Sequence, residues 1–289
     1  MTPALICDAA NYLTRGRLKM GWWGSAYQSA DQPVIVGGAP RSGTSLICSI
    51  LNAHRKLFIG FETWLFCGVS DFKSLAHSTE LPEEELRHLH RNSSCLAKYV
   101  EHIMHARLTR DGKVRWGEKT PDNVLNLDYI FRVFPRAKFL HVLRDGRDVV
   151  CSLRTFSDGR RSARSREWKE CVDVWVGHTR AGLAWRNDAR YLAVKYEDLT
   201  RDPLPVLRNV FDWLCEPWEP QVLEYYKMRG VRSEITHPGH QGLKRSIHGD
   251  STDRWRVDLP AEAREYFSAE ARHLLKELDY ASDDRWIRH

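Results

Sequence analysis

Short, almost wholly apolar runs alternate along the chain with stretches whose apolar residues recur at helical spacing. PVIVGG (33–38), AKFLHVLR (137–144) and YLAVKY (191–196) are β-branched or aromatic runs of strand length, the first ending in glycines. Such runs are apolar on both faces, as a buried parallel strand requires. Between and after them the pattern predicts helices over Thr44–Ala53, Glu83–Arg107, Val149–Leu153, Cys171–Asn187, Pro205–Leu214 and Ala261–Leu278. In the fourth of these, Val172, Trp175, Val176 and Leu183 fall on one face. Strands alternating with helices predict an α/β fold with a central parallel sheet flanked by helices in three layers. No internal repeat, low-complexity linker or compositional break marks a boundary. One domain over 1–289 is expected, with a core from about 33 to 280 and an N-terminal extension, 1–32.

Composition changes this picture little. A chain of 289 residues, 42% hydrophobic and 28% charged, can bury a sizeable core and is not of the disordered class. No apolar run reaches the roughly 20 residues a membrane span needs. In MTPALICDAANYLTRGRLK the basic residues follow the short apolar patch, the reverse of a secretory signal. Cysteines stand at 7, 48, 67, 95, 151, 171 and 215, an odd number without a CxxC pair. They point to free thiols in a reducing compartment, and a cytoplasmic location is expected.

The net charge is +6, and basic residues concentrate in 154–169, where Arg154, Arg160, Arg161, Arg164, Arg166 and Lys169 outnumber Asp158 and Glu167. Two readings stay open for this segment: a solvated loop, or a gate that attracts an anionic cofactor or an acidic acceptor. No nucleic-acid motif accompanies it, so no nucleic-acid partner is expected. His237, His240 and His248 share a loop at a spacing that fits no metal template, and no metal site is expected.

The candidate chemistry starts at the end of the first run. Gly38, Ala39, Pro40, Arg41, Ser42, Gly43, Thr44 and Ser45 lie between a strand and the helix that follows. Glycines let a backbone approach an anion closely, successive N–H groups then point at it, and the helix N-terminus adds partial positive charge. The spacing is that of the P-loop GxxxxGK[ST], with Thr44 where the lysine belongs. That lysine reaches the outer phosphates of a triphosphate, so its absence argues against a kinase or NTPase. Arg41 is the residue expected to supply the charge instead.

GAPRSGTS after an apolar strand resembles the 5′-phosphosulfate loop of the sulfotransferases that use 3′-phosphoadenosine 5′-phosphosulfate (PAPS). The string Arg144-Asp145-Gly146-Arg147-Asp148, with Ser152 eight residues after Arg144, resembles the same family's second phosphate site. The resemblance covers about 33 to 280. It is closest to bacterial members related to protein-tyrosine sulfotransferases. It implies a P-loop-like fold, PAPS as donor and 3′-phosphoadenosine 5′-phosphate (PAP) as product. Arg144 and Ser152 would then hold the 3′-phosphate, where an arginine fork and a hydroxyl donor suit a phosphate. YLAVKYEDL resembles the strand that places a tyrosine, here Tyr196, near the nucleotide. SIHGDSTDRW (246–255) resembles a loop that closes over the cofactor, with Ser246 and Arg254 as its contacts.

The resemblance also places a catalytic carboxylate at Glu62. Phe58, Ile59, Phe61 and Trp64 around it would desolvate the group and make it a better base. His54 is the second candidate base. Lys119, in GEKTP, matches a lysine that reaches the transferring group, where with Arg41 it would stabilise charge on the leaving phosphate. The expected reaction is sulfonate transfer to an acceptor hydroxyl, whether a peptide tyrosine, a carbohydrate or a small-molecule alcohol. A homodimer is an open expectation. Two other readings remain: a P-loop kinase or NTPase, and a catalytically silent nucleotide-binding protein.

Overall fold

The computed structural model describes residues 23, 26–68, 70–155, 166–227 and 242–287. Chain order runs β1 (Val34–Gly37), α1 (Thr44–Asn52), β2 (Leu57–Phe61), α2 (Phe72–Thr79), α3 (Glu83–Arg91) and α4 (Leu96–Asp111). Then come β3 (Arg115–Lys119), α5 (Leu127–Val133), β4 (Lys138–Leu143), α6 (Gly146–Thr155) and α7 (Trp168–Leu183). The chain closes through β5 (Tyr191–Lys195), α8 (Tyr196–Arg201), α9 (Pro203–Leu214), α10 (Trp255–Asp258) and α11 (Ala261–Glu277).

The sheet has five strands in the order β2-β3-β1-β4-β5, with parallel pairing throughout. Successive side chains of a strand point to opposite faces, so β1 serves two cores. Ile35 packs with Tyr99 and Met104 of α4 and Ile130 of α5, whereas Val34 and Val36 pack with Ile47 of α1 and Phe211 of α9. A third cluster under α6, α7 and α11 centres on Val149, Trp175 and Phe267. This is the expected three-layer arrangement.

Three local features correct the sequence reading. Glu83–Arg107 is two helices, broken where the Ser93 hydroxyl bonds back to the Leu89 carbonyl and Cys95 is extended (φ −156°). Serine and asparagine compete with the helix ladder in this way. Strands β2 and β3 went unread, because LFIGF carries a glycine and RWGEK carries charge. Tyr196 opens α8 and does not end β5.

β1 is flanked by β3 on one side and β4 on the other, so the loops leaving β1 and β4 meet at the carboxyl edge of the sheet. That edge, where the chain order turns, is where open parallel sheets bind ligands. Among the described residues, no helix is long and apolar enough to cross a membrane. Cys48, Cys67, Cys95, Cys151 and Cys171 are buried and Cys215 is exposed. Cys7, most of the 1–32 extension, the centre of the basic segment (156–165), His237 and His240 lie outside the described residues.

Candidate functional site

The loop from Gly38 to Ser45 wraps the start of α1. Its backbone turns through positive φ at Arg41 (74°) and at Gly43 (98°), the N-cap of the helix. Gly43 is required twice over: its backbone is one L-residues avoid, and a Cβ there would lie 2.4 Å from the Tyr196 ring. The Leu46 N–H turns back to the Gly43 carbonyl at 3.0 Å, and the helix start ahead of it faces the loop, the end of a helix that favours an anion. Thr44, in the position of the missing lysine, is 3% exposed.

Around this loop the predicted cationic and hydroxyl residues converge. Arg41 Nε donates to Ser152 Oγ at 3.1 Å, and Arg144 Nη1 donates to the Arg41 carbonyl at 2.9 Å. The Arg144 guanidinium lies over the Tyr196 ring at 4.7 Å. Burial, and next the Arg144 charge, push the Arg41 guanidinium below its ordinary range. A half-buried and a buried cation side by side repel each other unless an anion lies between them. Among the described residues, the buried Ser42 Oγ and Arg144 Nε have no hydrogen-bond partner. A phosphate is a group that would take these donors and offset the repulsion. The residues therefore fit a phosphate group.

Arg144 and its neighbours are held from behind. Arg147 forks onto Asp145, with its shortest contact 2.7 Å, and its guanidinium lies over Trp255 at 3.9 Å. The Asp145 N–H donates to Glu197 at 2.9 Å. Asp148 accepts the Asp253 and Trp255 N–H groups, both at 2.9 Å, and Arg144 donates to the Ser251 carbonyl. The C-terminal segment thus reaches the site through Ser251. Of the two residues expected there, Ser246 is exposed and Arg254 turns outward to Asp258 at 2.8 Å. Asp145 and Asp148 belong to the string that resembles the second phosphate site, but neither they nor Glu197 had a role assigned from sequence.

The other rim of the loop holds the expected catalytic pair. Lys119, at the end of β3, is fully buried. Its ammonium donates to Glu62 Oε1 at 2.7 Å and to Ser45 Oγ at 3.2 Å, and lies over the Phe61 ring at 3.3 Å. The Glu62 side chain is 31% exposed, so its carboxylate faces a cation on one side and keeps access to solvent. Where the sequence led to aromatic surroundings, the structure gives this carboxylate an ion pair with Lys119. The chain before it is anchored by the Glu62 N–H, which donates to the Lys119 carbonyl at 2.6 Å. His54 is elsewhere: it is buried against Phe211, 3.0 Å from the Pro217 carbonyl and 3.7 Å from Glu219. Its partners are structural. Among the described residues, no group of three His, Cys, Asp or Glu side chains could hold a metal ion.

Strand, glycine loop and helix define a P-loop-like α/β fold, with the loop at the turn in its strand order. The chain belongs to the sulfotransferase family, whose model matches residues 33–220. It is 26% identical over 286 residues to the protein-tyrosine sulfotransferase of Drosophila melanogaster, a match covering 89% of this chain and 55% of that one. The chain spans about half the length of the curated relatives it matches. The same fold occurs in the sulfotransferase domain of the Synechococcus PCC 7002 olefin synthase. The TM-score is 0.64 at 21% identity, covering 86% of this chain and 97% of that one. It also occurs in mouse sulfotransferase SULT7A1 complexed with PAP, with a TM-score of 0.52 at 13% identity, covering 93% and 94%.

Proposed function

We propose that this chain transfers a sulfonate group from PAPS to an acceptor hydroxyl, with Glu62 as the general base. The observation that carries the reading is the position of Lys119, whose ammonium bridges Ser45 of the phosphate loop and Glu62. Donor site and base are thereby set on either side of one cation.

In this reading the loop amides and Arg41 hold the 5′ side of the donor, and Arg144 and Ser152 hold the 3′-phosphate, with Tyr196 beside the nucleotide. The bound donor supplies the sulfonate, whose bond to the bridging phosphate oxygen breaks as its bond to the acceptor oxygen forms. Glu62 takes the proton from the acceptor hydroxyl. Once protonated, Glu62 pulls less on Lys119, and the ammonium is left to the phosphate-loop side, where leaving-group charge develops. One domain carries all of these roles. The name of the Drosophila relative supports a peptide tyrosine as the first acceptor to try, with glycans and small-molecule alcohols as the other arms.

Thermal stabilisation by PAP compared with ATP, both in EDTA, tests the donor assignment. PAP at a hundredfold excess over its Kd is expected to stabilise the fold by about 2.7 kcal/mol, and ATP by much less. Equal or greater stabilisation by ATP overturns the assignment in favour of an NTP site.

A further inference from the structure

Glu118 sits beside Lys119 in β3 but, by the alternation of a strand, faces the other way. It is fully buried. Its carboxylate is ringed by donors: the Thr63 N–H at 3.0 Å, the Thr63 hydroxyl at 2.9 Å and the Thr120 hydroxyl at 2.7 Å reach Oε1, and the Asn123 amide reaches Oε2. Asn123 also donates to the Val36 carbonyl at 3.2 Å, in the strand that leads into the phosphate loop.

Thr63 is the residue after Glu62. Both of its neighbours have left-handed backbones, Glu62 at φ 48° and Trp64 at φ 56°. Residues with a Cβ hold such conformations only where their surroundings over-determine them, and they gather at functional sites. Here the restraint converges on Thr63. Glu118 takes its N–H and its hydroxyl, the Ser70 hydroxyl donates to its carbonyl at 2.6 Å, and Thr120 accepts the Trp64 N–H at 3.3 Å. Stability alone gives little reason for a carboxylate here, because desolvating one is costly and an apolar side chain would pack without that cost.

We propose that Glu118 is a positioning residue for the Glu62–Lys119 pair, its carboxylate holding the strained turn 62–64 against the end of β3. The inference rests on the roles proposed for Glu62 and Lys119. Glu118→Gln keeps an oxygen for Thr63 but turns an amide donor toward Asn123. Glu118→Leu removes every acceptor.

The test measures kcat per folded enzyme, PAP affinity by calorimetry, and amide exchange in the peptide 58–66. Glu118→Leu is expected to lower kcat about a hundredfold, and Glu118→Gln about tenfold or less. PAP affinity stays within about threefold in both, and exchange quickens in 58–66 ahead of the rest of the sheet. If Glu118→Leu does not fold, Glu118→Gln and Thr63→Val decide, each expected to lose about fivefold or more in kcat with PAP affinity kept. Wild-type kcat in the folded variants overturns the inference, as does a kcat loss matched by weaker PAP binding and general unfolding. Failure of the underlying reading has a different signature. In that case Glu62→Ala retains full turnover, or the wild-type chain transfers no sulfonate.

Discussion

Replacing Gly43 by alanine tests the geometry of the phosphate loop with one methyl group. Two costs follow from the structure. The backbone stands at φ 98°, where an L-residue costs about 1–2 kcal/mol. The new Cβ would lie 2.4 Å from Tyr196 Cδ2 and 3.0 Å from Cε2, so the ring must retreat by about 1 Å to reach ordinary contact. Tyr196 is 7% exposed, and repacking it adds about 1–3 kcal/mol. The sum, about 2–5 kcal/mol, lowers Tm by about 4–15 °C in a chain of this size. Because the same ring supports the Arg144 guanidinium, PAP affinity also falls, by about tenfold or more. Thermal melts and calorimetric titration with PAP measure both effects. A Tyr196→Ala background removes the clash, so Gly43→Ala should there cost only the backbone part. A Gly43→Ala chain that melts within about 1 °C of wild type and binds PAP equally well refutes the reasoning.

Two further outcomes follow. Lys119→Met keeps an unbranched side chain in the buried channel but removes the ammonium. Sulfonate transfer should fall about a hundredfold or more in steady-state assays with a saturating donor, and PAP, whose 5′-phosphate is the leaving group, should bind more weakly as well. Lys113 donates to the Asn52 and Leu57 carbonyls, and burial pushes its ammonium down to about 8. Between that value and the ordinary 10.5 the unfolded chain binds more protons, so this group makes stability rise with pH across the window. Urea titrations at the two ends should show Lys113→Met losing a rise of up to about 3 kcal/mol, and an unchanged slope would contradict the assignment.

The parts of the site that could be read from sequence are those whose chemistry is written in contiguous residues. The phosphate loop is one: glycines, Arg41 and hydroxyls between an apolar strand and a helix leave few other uses. Arg144 and Ser152, a strand end and the helix behind it, are another. Contacts between distant segments were not legible. Glu118 is a charge inside a strand, which pattern reasoning counts against the strand itself, and only the fold brings it to Thr63. Likewise Arg147 meets Trp255, and Asp148 meets the 253–255 backbone, through packing that no local spacing encodes. Ser246 and Arg254 were placed by likeness to a loop whose described contact with Arg144 is made by the Ser251 carbonyl. Main-chain contacts leave no signature in side-chain identity.

The central claim is that Glu62 takes the acceptor proton beside a donor held by the loop. The most direct measurement compares wild type and Glu62→Ala for transfer from radiolabelled PAPS to tyrosine peptides, glycans and alcohols, with PAP affinity measured on the same samples. The expected result is loss of transfer by about a hundredfold or more while the PAP Kd stays within about threefold. Wild-type transfer by Glu62→Ala would contradict the account.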